Sequence, residues 1–267
     1  MVEISAQLVR ELREQTGAGM MDCKRALQET NGDMESAVVL LRERGMAQAA
    51  KRADRVTTEG LVGYRLADDG SKGTMVAVGC ETEPVSKNEE FHAFAKKVLD
   101  VVDASGLDAV AELESERAEL SGKLGENIAL AGGARFEALD GGLVAAYAHP
   151  PANKIGVLVN LRGGNADLGR KLAMHIAASS PEWVGREDVP EEAVATEREI
   201  YANSDEVQSK PEQAREKIVE GMLNKRFFAA NVLTDQEWVH DSSQTVGQVL
   251  SGAGAEVLEF QRFSLAR

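Results

Sequence analysis

The first 45 residues place apolar side chains at helical spacing in three short runs. Leu8, Val9 and Leu12 form one face, which Ser5 can cap and Gly17 can end. Met20, Cys23, Ala26 and Leu27 form a second, over about Met20 to Thr30, closed by the turn signal Asn31-Gly32. Met34, Ala37, Val38 and Leu41 fall at i, i+3, i+4 and i+7 behind a capping Asp33, with Gly45 as the expected C′ residue. Helices this short do not hold alone in water, so the three are expected to pack together. Residues 46–59 are polar and Ala-rich and read as a linker, partly helical.

From Gly60 the period changes to two. One strand is expected to about Ala67, then a turn at Asp68-Asp69-Gly70, then a strand from Thr74 to Cys80. A helix follows, with Phe91, Phe94, Ala95, Val98 and Val102 on one face, and a charged helical segment runs on to about Leu124. The order then recurs. Gly142-Leu143-Val144 repeats Gly60-Leu61-Val62 82 positions later, followed by a turn, a strand at Ile155 to Leu161 and a helix at Leu168 to Ser179. This reads as a degenerate duplication of a strand–strand–helix unit. Helices at Pro190 to Asn203 and from Pro211 to Phe228 make an αα-hairpin. The C-terminal AEVLEFQRFSL is a strand that can complete the second sheet. The division is therefore 1–45 (three-helix head), 46–59 (linker), 60–140 (first core subdomain) and 141–267 (second core subdomain, carrying the hairpin 190–228).

Charge sharpens this division. The chain of 267 residues has a formal net charge of -14. Met1 to Arg55 holds nine basic and nine acidic residues, so the body carries all of the excess. An acidic body repels phosphate, which speaks against nucleic acid and anionic membranes as partners. Two cysteines outside any CxxC, no apolar leader and no run of membrane-spanning length point to the cytoplasm.

No phosphate-cradling Gly-Lys-Ser/Thr loop, dinucleotide fingerprint or paired zinc motif occurs. His175 reads as a packed histidine or a ligand, and His149, before Pro150-Pro151, as an inert or a contacting turn residue. Cys23 reads as a small buried hydrophobe. Cys80 reads as the end of an apolar strand or as a thiol nucleophile, and Glu81, Glu83, Glu89 and Glu90 as solvated loop acids or a metal cluster. The turn Thr16-Gly17-Ala18-Gly19-Met20-Met21 suits an adaptable protein contact or, alternatively, a compact turn with both methionines in the core. No catalytic set is visible, so a binding protein is favoured over an enzyme.

Several stretches, collinear along the chain, resemble one family, the bacterial translation elongation factor Ts. They are Leu8 to Asp33 (with TGAGMMDCKRAL), Cys80 to Phe91 (CETEPVSKNEEF), Lys154 to Val159, Leu172 to Val184, Glu187 to Pro190, Lys210 to Phe228 and Thr245 to Phe263. The resemblance implies an α+β fold: a ubiquitin-associated-like three-helix domain, then a duplicated strand-strand-helix core with an αα-hairpin insertion. It implies a guanine-nucleotide exchange factor, not an enzyme, that binds elongation factor Tu in its GDP-bound and nucleotide-free forms and leaves when GTP enters. Such a factor takes no cofactor, metal or small-molecule substrate of its own. Matching partner-binding residues are Arg13, Met20, Met21 and His149. Thr82, Glu83, Pro84 and Val85 stand where the family carries Thr-Asp-Phe-Val, the segment that dislodges Mg²⁺ from the partner. Glu83 keeps the acid, one methylene longer, and Pro84 replaces the aromatic wedge. Two rivals follow: a helical-head adaptor that binds elongation factor Tu or another partner without efficient exchange, and an enzyme using Cys80.

Overall fold

The computed structural model describes residues 4–139 and 141–265. The expected unit boundary at 140, and the two chain ends of the division, lie outside them. Helices α1 (Ala6–Thr16), α2 (Met20–Glu29) and α3 (Met34–Arg52) form the head around Val9, Leu12, Cys23, Ala26, Leu27 and Ala37. Ser5 caps α1 through Leu8 N, Gly17 ends it in the left-handed region (φ 67°), and Asp33 caps α3 through Ser36 N.

Gly45 does not end α3. The helix runs seven residues further, through much of the stretch expected as a linker. The reason lies in packing: Gly45 meets Gly122 of α6 (Glu114–Leu124), and Ala49 is buried beside that crossing. A glycine read as a stop is a helix-crossing contact. Arg42 pairs with Glu119 and bonds Ser115 across the same crossing.

Strands β1 (Glu59–Leu66), β2 (Lys72–Cys80) and β3 (Ala129–Glu137) make one antiparallel sheet in that order. A one-turn helix α4 (Glu83–Ser86), helix α5 (Glu89–Ser105) and α6 lie between β2 and β3. Strands β4 (Gly142–Ala148), β5 (Ile155–Arg162) and β6 (Glu256–Ser264) make the second sheet, again with the middle strand second. Helix α7 (Ala166–Ser179) follows β5. Next come α8 (Glu191–Ala202), the single turn α9 (Asp205–Gln208), α10 (Glu212–Met222) with a π-helical continuation at Leu223–Phe228, the single turn α11 (Ala229–Asn231), and α12 (Val246–Gly252) before β6. The hairpin has its own small core of Val207, Val219, Met222, Leu223 and Phe227 against Val189 and Val232.

The middle strands obey the period-two rule on two buried faces. Val76, Val78 and Cys80 face α5, while Met75 and Ala77 face the other sheet. Val157, Val159 and Leu161 face α7, while Leu158 faces the first sheet. The body is thus four layers: helix, sheet, sheet, helix.

The repeat is longer than the sequence pattern suggested, because each unit closes with a third strand. The apolar pattern does not mark strand β3, because Gly132 and Gly133 interrupt it. Side chains there would strike Phe263 of the facing sheet and Leu107 on the helical side. Each sheet also carries a bulge, between Ala77 and Val78 in one and between Asn160 and Leu161 in the other. Ala77 pairs with Val62 and Asn160 with Val144, so the bulges fall at equivalent places in the two units. The same valines lock the units together: Val62 N donates to Asn153 O (2.7 Å) in the second hairpin turn, and Val144 N to Gly70 O (2.8 Å) in the first.

Candidate functional site

The duplication exposes the site by contrast. In the second unit three residues, Gly163 to Asn165, join β5 to α7; in the first, eight residues, Glu81 to Asn88, join β2 to α5. Asn88 and Asn165 each cap the helix that follows. The first unit thus carries a segment here that the second unit lacks.

Its tip is α4. Pro84 fits this first turn, where a missing N–H costs nothing. Ser86 donates its hydroxyl to Glu83 O (2.8 Å), and His92 Nε2 donates to Ser86 O (2.7 Å) from behind. Thr82, Glu83 and Pro84 are exposed, whereas Val85 is half-buried against the α5 core. Lys87 pairs with Glu83 (2.7 Å) and holds its carboxyl below the usual range.

The root of the tip is held by residues that periodicity did not single out. Glu126 Oε2 accepts Glu81 N and Thr82 N, both at 3.0 Å, and Oε1 accepts the Thr82 hydroxyl. That hydroxyl is therefore not free to cap α4. Asn127 N donates to Glu81 Oε1 (2.7 Å), and Asn127 Nδ2 donates to Ala53 O (3.1 Å) and Arg55 O (2.8 Å) just beyond α3. Glu81, expected as a solvated acid, is half-buried and also pairs with Arg55 (3.4 Å). A polar pair between a helix end and the apolar run Ile128-Ala129-Leu130 was the available signal, since a buried asparagine must be bonded to something.

The second hairpin turn lies at the same end of the body. Lys154 pairs with Glu59 at the start of β1 (2.5 Å) and contributes to lowering the Glu83 carboxyl. His149 is exposed, and its ring Nδ1 lies 2.9 Å from the Tyr147 hydroxyl; no hydrogen bond joins it to the tip. In the head, Met20 and Met21 are 51% and 65% exposed, so neither joins the bundle core, contrary to the inward position expected for Met20. Arg13 is exposed on α1. The Lys123 side chain lies against Gly17, while its ammonium pairs with Glu90 (2.6 Å) in the first turn of α5. One lysine therefore links the methionine turn to the helix behind the tip.

The chemical alternatives resolve locally. Cys80 is fully buried, and its thiol is pushed up to about 12 by burial, with the Glu126 and Glu59 charges adding to it. Burial and the raised pKa both lower the accessible thiolate that a nucleophile needs. His175 is buried, bonded to Gln236 Oε1 (2.9 Å) and to Val239 N, and stacked on Trp238; burial pushes its pKa down. It is a packed histidine. Cys23 is buried and its thiol is raised by burial. Among the described residues no group of three His, Cys, Asp or Glu could hold a metal ion, and no helix is long and apolar enough to cross a membrane.

Comparison with known proteins bears on this arrangement as a whole. The family model described as Elongation factor TS matches residues 81–267. The chain is 45% identical to the elongation factor Ts of Thioalkalivibrio sulfidiphilus, over 98% of this chain and 92% of that one. It is 44% identical to that of Teredinibacter turnerae (98% and 90%) and 43% identical to that of Escherichia coli (99% and 92%).

Proposed function

The chain belongs to the elongation factor Ts family, the nucleotide-exchange partners of elongation factor Tu in translation elongation, and from this premise we propose how its own surface does that work. It docks on GDP-bound elongation factor Tu through Arg13, Met20 and Met21 of the head and His149 of the second hairpin turn. The tip Thr82-Glu83-Pro84-Val85 then enters the partner and disturbs its Mg²⁺ and nucleotide site. The complex persists without nucleotide until GTP displaces the factor from the partner. The setting is the cytoplasm, and no cofactor takes part.

No acid–base or nucleophilic residue is required. Exchange is a coupling between two binding events: the factor weakens nucleotide affinity, and nucleotide weakens the factor's affinity by the same factor. What is required is a surface that fits the distorted nucleotide site better than the closed one. The observation that carries this reading is the exposed, acid-bearing tip that one unit of the duplication has and the other lacks.

The test is release of fluorescent GDP from the cognate elongation factor Tu with and without the protein. Faster release is expected, along with capture of the nucleotide-free partner. Pro84, standing where the family has an aromatic, favours a second reading: an adaptor that binds the partner without efficient exchange. Binding with an unchanged GDP release rate would select the adaptor.

A further inference from the structure

We infer that Glu126, backed by Asn127, is the positioning residue that fixes the tip relative to the head; the inference rests on the exchange reading above. Two consecutive N–H groups, of Glu81 and Thr82, converge on one carboxylate oxygen at 3.0 Å each. Together they fix the two successive peptide units that lead into α4. The other oxygen takes the Thr82 hydroxyl and so fixes that side chain as well. Hydrogen bonds to an ionised acceptor are roughly twice as strong as neutral ones. Here three of them act on a segment whose apolar anchor is the half-buried Val85.

The neighbouring residue extends the hold to the head. Asn127 N bonds the Glu81 carboxylate, while its side-chain amide holds Ala53 O and Arg55 O, where the chain leaves α3. Arg55 closes the ring by pairing with Glu81. Helix α3 carries the head as one rigid element to this point. A single dipeptide thus holds both the exit of the head and the root of the tip. The neighbouring acids already have cations of their own, Glu81 with Arg55 and Glu59 with Lys154, so Glu126 is left to the tip. A neutral acceptor would serve packing equally well; a charged one makes the tip stiff. Stiffness matters only if the angle of the tip matters, because a lever that yields cannot distort its target.

A positioning role separates rate from affinity. The experiment measures the maximal rate and half-saturation of the full-length protein in fluorescent GDP release from cognate elongation factor Tu, for wild type, Glu126→Gln and Glu126→Ala. Thermal unfolding and hydrogen exchange at the Thr82 amide are followed in parallel. Glu126→Ala is expected to lower the maximal rate about tenfold, the scale of one charge-assisted hydrogen bond lost from the activated complex, with half-saturation within roughly twofold. Glu126→Gln keeps one acceptor oxygen and is expected to fall between; it also carries the test if the alanine variant does not fold. Variants with the wild-type maximal rate, or with the loss confined to half-saturation, overturn the inference. A wild type that does not accelerate release overturns the exchange reading and this inference with it, whereas a wild type that accelerates release, beside variants that keep its maximal rate, overturns this inference alone.

Discussion

Gly45 and Gly122 meet backbone to backbone where α3 crosses α6, and the contact is asymmetric. A Cβ on Gly122 would lie 2.7 Å from Gly45 Cα, whereas one on Gly45 would lie 3.7 Å from Gly122 Cα. Both glycines sit within helices, where alanine is better by about 1 kcal/mol. Gly45→Ala is therefore expected to be neutral or stabilising by up to about 1 kcal/mol. Gly122→Ala forces the helices apart and is expected to cost about 1–3 kcal/mol. Urea unfolding of the two variants checks the order; equal effects would mean that the helices do not touch here.

This pair also shows what sequence could and could not reveal. Gly45 follows an apolar run and looks like a helix end, because a stop and a close crossing use the same residue. Only the position of α6, about 75 residues further on, distinguishes the two. Helix faces, the capping residues Ser5 and Asp33, and the recurring Gly-Leu-Val strands are local patterns and were legible. Strand β3 was not, since its glycines answer to Phe263 and Leu107, both remote in sequence. The tip was legible as a loop with unusual chemistry, but its brace was not. Glu126 acts on Thr82 across 44 positions; a polar pair before an apolar run signals that it is bonded, but not to what.

Met20 and Met21 contribute nothing to the head's core, so they can be changed without unfolding it. The double substitution Met20→Ser/Met21→Ser is expected to leave the unfolding temperature within a degree or two, since exposed sites typically shift stability by less than about 0.5 kcal/mol. Affinity for the nucleotide-free partner should fall at least about tenfold if both side chains are buried on docking. Calorimetric titration reads this directly. Unchanged affinity would remove the methionine turn from the interface.

Asp103 ties α5 to the first sheet. Its carboxylate takes Lys72 Nζ (2.8 Å), the Thr74 hydroxyl (2.7 Å) and Arg65 (3.2 Å). The Lys72 contact foremost, then those of Thr74 and Arg65, hold its pKa at about 2 against an ordinary 3.8. A depressed carboxyl stabilises the fold above the unfolded-state pKa, and that contribution fades as pH falls toward the folded value. Asp103→Asn is therefore expected to cost about 1–2 kcal/mol at pH 7. The gap between wild type and variant should close between about pH 4 and pH 2. A gap that stays constant over this range would show that the ion pairs contribute nothing.

Cys80 decides between a binding protein and a thiol enzyme. With the thiol buried and raised to about 12, the native protein should resist iodoacetamide at pH 8. Modification is expected only on the timescale of unfolding, as for buried Cys23. Mass spectrometry after timed exposure, with and without urea, reads both sites. Fast labelling of Cys80 in the folded protein would reopen the enzyme reading.

On the proposed reading, Pro84 stands where the family resemblance implies an aromatic, in the segment proposed to enter the partner. It is exposed in the first turn of α4, where neither its fixed φ nor its missing N–H is needed to hold the fold. Glu83→Asp/Pro84→Phe should therefore fold as the wild type does. The new aromatic would stand in solvent in the free protein and become buried only in the complex. Burial of such a ring is worth about 1.5–3 kcal/mol. If that contact forms mainly once the partner's nucleotide site is distorted, it accelerates release instead of merely tightening binding. GDP release is then expected to rise about tenfold or more at saturating factor. A wild type already as fast as the double variant would mean that the acid and the braced backbone suffice, and that the aromatic wedge is dispensable in this chain.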